Sequence, residues 1–359
     1  MEVTNKQRDN KFGALTFDVV VCGASLGGTI AAYSAAKLGK KVALIEQSDR
    51  IGGQLTSQAV PPDEHKWIEK QGSTATYRNY RNAIRDSYRA DPSFSAAVKA
   101  MPAFCPADSE VSYISHTPRL ARQTLEVMLK PFVDSGLITV YYNAKLVGCV
   151  ADEYVRSVTF EQGGVELTFV GKYFLDGTDT GELIAASGTE YVVGAEARSE
   201  TGEVHAPDKT NPQDMQPCTY TACLENRKKG DFVIPKPLLY DYFARLQMPY
   251  DRFNVFSMYG PDSSTGKAKK FGMFLGETDE NGEELFPLFK YRRIVCADYY
   301  ADGSHPYDVS LVNWPQNDFF LGNLYECPNS AENDELAKQF TLSFVYWLQT
   351  EAPRADGGK

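Results

Sequence analysis

The stretch that most constrains this 359-residue chain runs from Phe17 to Glu46. Residues 16–25, TFDVVVCGAS, read as a short buried strand rich in β-branched side chains. A small-residue helix, LGGTIAAYSAAKLGK, follows at once and is closed by Gly39. KVALIE then reads as a second buried strand that ends in an acid. Strand, helix and strand within about thirty residues make a β-α-β unit, which commits the chain to a parallel pairing with a helix laid across it. Internal repeats and low-complexity tracts are absent, so solenoids and propellers do not compete.

The turn inside this unit carries chemistry. Gly23-Ala24-Ser25-Leu26-Gly27-Gly28 stands where a dinucleotide-binding unit has G-x-G-x-x-G. Gly23 permits the tight exit from the strand, Gly28 allows the helix close to the sheet, and the free N–H groups of the helix start face a pyrophosphate. Ser25 departs from the pattern, yet it is small and its hydroxyl can donate to a phosphate. Glu46 comes eighteen residues after Gly28, where an acid accepts hydrogen bonds from both ribose hydroxyls. The competing reading is a glycine-rich turn with an incidental surface glutamate.

Composition narrows the class. With 37 basic and 47 acidic residues the formal charge is −10, which gives no electrostatic footprint for nucleic acid or an anionic membrane. No apolar run approaches the length of a membrane span, and the first sixteen residues lack a signal-peptide core, so a soluble cytoplasmic protein is the expectation. The seven cysteines form an odd, scattered set. Cys218 and Cys223 have C-x4-C spacing, but in a strand they point to opposite faces. Neither C-x-x-C nor H-E-x-x-H occurs, so no metal site is expected.

Two further stretches extend the nucleotide reading through a resemblance. Glu46-Gln47 through Gly52-Gly53-Gln54, in EQSDRIGGQLT, is similar to the E-x5-G-G continuation of two-dinucleotide-binding-domain flavoproteins, in which the paired glycines pass beneath FAD. FLDGTDTGEL, residues 174–183, is similar to the D-A-T-G-D-G-D-L stretch of FAD-dependent oxidoreductases related to the succinate dehydrogenase flavoprotein group. With VPPDEHKWIE, YRRIV and SLVNWPQND, these segments resemble a bacterial family of FAD-dependent oxidoreductases over most of residues 17–350. The resemblance implies FAD as cofactor, held by Gly23 to Gly28, Glu46, Gln47, Gly52, Gly53, Gln54, Gly177, Thr178 and Asp179. Gly177 departs from the usual alanine. The C-terminal Gly-Asp signature of the superfamily has no counterpart after Glu332, which implies a C-terminally truncated or split member that a partner subunit would complete.

The expected fold is α/β: a Rossmann-like FAD-binding domain with a β-meander, plus a second mixed α+β substrate region. Its expected parts are a polar arm (1–16), a discontinuous FAD domain (17–70 and 115–190), a helical insertion (71–114), a substrate or cap region (191–330) and a C-terminal helix (331–359). A helix is expected within 63–91, another from the Thr117-Pro118 cap that Pro131 perturbs, and a strand at PCTYTACLE.

For the reaction, the flavin handles the hydride and the protein must move a proton. His65 is the candidate acid or base, or a covalent flavin attachment point, against the plainer reading of a helix-start histidine beside Asp63 and Glu64. Arg78, Arg81, Arg85 and Arg89 recur along one helical face. Arg78 and Arg81 are candidates for binding a substrate carboxylate, the alternative being a solvated face paired with acids. Arg292-Arg293 is a second candidate clamp. The expected function is two-electron oxidation or reduction of a small organic substrate through flavin N5. Alternatives are an incomplete or inactive cofactor-binding subunit, a flavin-dependent monooxygenase, or an NAD-dependent dehydrogenase. A halogenase is disfavoured because W-x-W-x-I-P is absent.

Overall fold

The computed structural model describes residues 13–227, 230–248, 252–262 and 264–353. The polar arm expected at the N-terminus lies outside the described residues as far as residue 12, as does the chain beyond 353. In chain order the first elements are β1 (Leu15–Cys22), α1 (Leu26–Lys37), β2 (Val42–Ile45), α2 (Ala75–Ala90), α3 (Ala96–Lys99) and α4 (Pro118–Asp134). Then come β3 (Ile138–Tyr141), β4 (Ala144–Ala151), β5 (Val155–Gln162), β6 (Val165–Asp176) and α5 (Glu182–Ser187). The remainder holds α6 (Arg198–Thr201), β7 (Ala222–Glu225), α7 (Tyr240–Phe243), β8 (Tyr259–Pro261), β9 (Ala268–Lys270), α8 (Leu288–Tyr291), β10 (Arg293–Val295), β11 (Val309–Val312) and α9 (Ser330–Thr350).

Two compact units divide these elements. The first takes the chain up to Gln58, Ser73–Ile84 and Thr117–Tyr191. Its six-stranded sheet has the order β3-β2-β1-β6-β5-β4. β3, β2, β1 and β6 are parallel, whereas β6, β5 and β4 form an antiparallel meander. The sequence explains the difference. Val20 to Cys22 and Val42 to Ile45 are continuous apolar runs at zero exposure, as a sheet covered on both faces requires. β4 to β6 instead mix buried and exposed positions.

Helix α1 approaches this sheet through its small residues: Gly28, Thr29, Ala32 and Ala36 are its buried set. The spacing of four keeps them on one face. Gly39, with φ of +73°, ends the helix and donates its N–H to Ala36. α4 starts where Thr117 accepts a hydrogen bond from the Leu120 N–H, and it runs through Pro131 to Asp134. Phe169 anchors the core of the unit, with edge contacts to Tyr141 at 4.9 Å and Phe160 at 5.9 Å.

The second unit comprises Ala59–Gly72, Arg85–His116 and Val192 onward. A three-stranded antiparallel sheet, β10-β11-β7, and the β8-β9 hairpin are its sheets among the described residues. Its core gathers Phe243, Phe256, Trp314, Phe319, Phe340, Phe344 and Trp347, much of it supplied by α9. Asn317 is fully buried; its Nδ2 donates to the Tyr220 and Val312 carbonyls and to Thr341 Oγ1, while its Oδ1 accepts from the Trp314 N–H. That turns WPQND into a packing hub.

The fold is the expected α/β class, with a parallel sheet, a meander and a second mixed region. Local differences have local causes. The helix expected within 63–91 starts only at Ala75, after turns around Trp67 and Gly72. In PCTYTACLE only Ala222–Glu225 is a strand, and Cys218 makes an isolated bridge to Phe319. Both cysteines are free thiols. Among the described residues no helix is long and apolar enough to cross a membrane.

Candidate nucleotide site

The first unit brings its glycine motifs to one place. β1 and β6 run parallel with Cys22 opposite Asp176, so both strands end at the same level, and the Gly177 N–H donates to the Cys22 carbonyl at 2.7 Å. The two exits are in contact. A β-carbon on Gly23, whose φ is +89°, would lie 2.4 Å from the Gly177 carbonyl group. One on Gly28 would lie 2.1 Å from the Gly23 oxygen. Only glycine fits either position.

The Gly52-Gly53 pair closes the turn from the side. Gly52 donates its N–H to the Ala24 carbonyl at 2.7 Å and bridges Ser25. Both glycines have positive φ, 112° and 50°, and a β-carbon on Gly53 would stand 3.0 Å from the Ser25 α-carbon. Gln54 is exposed in the short turn that follows. Thus the second glycine motif packs directly against the first.

Glu46 holds the end of β2 to this turn. Its Oε2 accepts from the Ala24 N–H at 2.7 Å and its Oε1 from the Ser48 N–H at 2.9 Å, with the residue 9% exposed. Each carboxylate oxygen keeps a further lone pair. Ser25 caps α1, its hydroxyl oxygen accepting from the Gly28 N–H at 3.2 Å while its proton stays available. Leu26 is half-buried; Gly27 is exposed at the helix start, where a β-carbon would meet only Ser25 Oγ, at 3.8 Å.

These residues border a cleft lined by Gly23, Glu46, Gln47, Gly177, Thr178 and Asp179 together with Ile45, Ala144, Lys145, Leu146, Phe160 and Glu182. The β4 and β5 wall lies about a hundred residues from the glycine turn in sequence and carries no local signal. Asp176 organises the 176–182 loop: it accepts from Thr178 N–H and Oγ1 and from the Ile184 N–H. Thr178 Oγ1 accepts the Glu182 N–H at 2.9 Å where α5 starts, after Gly181. Burial, then the charges of Glu46 and Glu182, push the Asp179 carboxyl above its usual range.

The substrate-side candidates are distributed differently. His65 belongs to the second unit and is exposed; its Nδ1 accepts the Trp67 N–H at 3.2 Å, leaving the proton of the neutral ring on Nε2. Arg78 and Arg81 belong to the first unit, half-buried and 2% exposed respectively. The arginine stripe is therefore no uniformly solvated face. Arg85 forms a bidentate pair with Glu69 and donates to the Phe104 and Tyr113 carbonyls. Arg89 pairs with Asp86 at 2.8 Å.

The second clamp is also engaged within the protein. Arg293 donates to the Ala107 and Asp108 carbonyls and pairs with Asp108 and Asp308. Arg292 pairs with Asp63 at 3.0 and 3.4 Å. Burial raises the Asp318 carboxyl, an effect opposed by its Thr219 hydrogen bond and the Arg292 charge. VPPDEHKWIE, YRRIV and SLVNWPQND thus meet around one guanidinium. His116 is buried, its Nδ1–H donated to the Ile114 carbonyl, and burial lowers its pKa to about 4.

The description FAD dependent oxidoreductase belongs to a family model that matches residues 18–357. The chain belongs to the FAD-dependent oxidoreductase family. FAD is the cofactor of this family, and the nucleotide cleft fits it on three counts. Side chains are missing where backbone must approach, a helix start is open at Gly27, and an acid with spare lone pairs stands at the end of β2. No curated protein matches the chain. Among solved structures it is similar to a geranylgeranyl bacteriochlorophyll reductase-like protein of Thermoplasma acidophilum, at 18% identity and a TM-score of 0.30, over 46% of this chain and 40% of that one. It is also similar to a 3-ketosteroid-delta4-(5alpha)-dehydrogenase of Rhodococcus jostii, at 13% identity and a TM-score of 0.27, over 45% of each chain. The chain spans less than half the length of either. Likenesses this distant say nothing about the substrate of this FAD-dependent oxidoreductase family member.

Proposed function

We propose that the first unit holds FAD by the Gly23–Gly28 turn, Glu46, Gln47, Gly52, Gly53, Gln54 and the Gly177–Asp179 loop, and that the protein oxidises or reduces a small organic substrate by two electrons. The observation that carries this reading is the meeting of three glycine motifs at the carboxyl ends of parallel strands, beside a β2 acid with lone pairs to spare. Ligands of open parallel sheets bind at that edge. Bound FAD supplies hydride exchange with the substrate. The chain's own residues supply the rest. The first turn of α1 offers backbone N–H groups to the pyrophosphate, Glu46 takes the ribose diol, and Ile45, Ala144, Leu146 and Phe160 give the cleft an apolar wall. His65, exposed and with its proton on Nε2, is the proposed acid or base. Arg78 and Arg81, one turn apart on α2, are the proposed anion-binding pair.

The visible absorption spectrum of the purified chain, before and after denaturation and with added FAD as a second arm, tests the reading. A flavin spectrum released as free FAD supports it. Colour retained on the denatured chain supports covalent attachment and favours His65 as its point. A folded chain that neither carries nor takes up FAD refutes it and favours a cofactor-binding subunit that needs a partner.

A further inference from the structure

Glu182 opens α5 at the rim of the nucleotide cleft. Its Oε2 is sealed from solvent and has no hydrogen-bond partner, the state in which a carboxylate oxygen is costly to bury. Of the other charged residues lining the cleft, Glu46 and Asp179 are acceptors, and Lys145 is exposed and does not bond this oxygen. A donor carried by the ligand would complete it.

Which donor follows from what the cleft has already matched. An adenosine offers two ribose hydroxyls and one exocyclic amine. Glu46 has one spare lone pair on each oxygen once Ala24 and Ser48 are bound, so it matches the diol. The amine is left. The apolar lining that suits a purine face comes from β4 and β5, through Ala144, Leu146 and Phe160, and α5 packs on β4. Glu182 therefore stands on the base side of the cleft.

We propose that Glu182 reads the base: its Oε2 accepts a hydrogen bond from the exocyclic amine of adenine, so the cleft selects an adenine dinucleotide over one carrying a hypoxanthine, whose exocyclic carbonyl oxygen would face the carboxylate. This inference rests on the reading that the first unit holds FAD, and it assigns the selectivity of that same cleft.

The test is a fluorescence titration of the flavin-free full-length chain with FAD and with its hypoxanthine counterpart. Wild type should favour FAD by roughly tenfold or more, as sites built around a buried polar pair do. Glu182→Ala should lose FAD affinity and close the gap. Glu182→Gln, whose amide both accepts and donates, should close it by gaining affinity for the hypoxanthine form, which a merely misfolded variant would not do. Equal wild-type affinities, or a ratio that both variants leave unchanged, overturn the inference. If wild type binds neither dinucleotide, or if Glu46→Ala leaves FAD affinity intact, the FAD reading itself falls and takes the inference with it. Binding that depends on Glu46 with a ratio indifferent to Glu182 overturns the inference alone.

Discussion

Glu46 and Ala24 are joined by a 2.7 Å hydrogen bond from the Ala24 N–H to Glu46 Oε2, which ties the end of β2 to the turn after β1. The acid proposed to hold the ribose is thus also a brace for the loop that would hold the pyrophosphate. Two consequences of Glu46→Ala follow, one for binding and one for the flavin-free protein.

Glu46→Ala should weaken FAD binding by about 1–3 kcal/mol, through loss of charged hydrogen bonds, and should also lower the melting temperature of the flavin-free chain. Calorimetric melts with and without FAD separate the two effects. A flavin-free melt identical to wild type would show that the Ala24 bond does not brace the turn.

Gly28→Val should abolish flavin uptake. Its β-carbon would fall 2.1 Å from the Gly23 oxygen, and the fixed backbone on both sides leaves no room for relief. Stoichiometric flavin in the purified variant, read from its absorption spectrum, would contradict the site.

Arg293→Met removes one guanidinium from contact with two carboxylates and two carbonyls at 6% exposure. Losing this shared partner should cost about 1–3 kcal/mol of stability, because Asp108 is 40% exposed and keeps Lys290, and Asp308 keeps the Ala297 N–H. Urea unfolding measures it; a midpoint within error of wild type would mean that the pairs contribute nothing.

Stability should fall on acidification partly through His116. Its folded pKa of about 4 lies below the value of about 6.5 for an unfolded histidine, so the unfolded chain binds the extra proton between those values. The contribution is complete above pH 6.5 and is lost as pH falls towards 4, to a limit of roughly 3 kcal/mol. His116→Gln, which keeps a donor for the Ile114 carbonyl, should flatten the stability profile in that window relative to wild type. Parallel profiles would rule His116 out as a contributor.

Asp179→Asn should raise the melting temperature of the flavin-free chain at neutral pH. Burial and the charges of Glu46 and Glu182 disfavour the ionised Asp179, and the amide removes that penalty while keeping an acceptor. Thermal melts at pH 7 decide it, and a lower midpoint in the variant would show that the carboxylate is net stabilising.

Local sequence determined the β-α-β unit, because strand, turn and helix each obey short-range rules. Apolar continuity gives a covered parallel strand, Gly23 and Gly28 satisfy positions without room for a side chain, and Gly39 ends the helix in the left-handed region. The acid at Glu46 was legible for the same reason, as a fixed offset from the turn. Segments whose structure depends on distant partners were less so. Only Ala222–Glu225 of PCTYTACLE finds a strand partner, in β11, and the first half of the stretch expected to be helical before Pro92 forms turns instead.

The nucleotide cleft itself was half legible. Its glycine floor and its β2 acid are motifs, but the wall of Ala144, Leu146 and Phe160 exists only because the meander folds β4 and β5 onto the same sheet as β1. Arg292 and Arg293 illustrate the same limit. A pair of arginines in sequence is a candidate anion clamp, and only the fold reveals that Asp63, Asp108 and Asp308 already engage it. What the sequence determined alone were steric and hydrogen-bonding demands met within a few residues. What the tertiary structure decided was which charges and walls, distant along the chain, share one small volume, since pairing and burial depend on position in space.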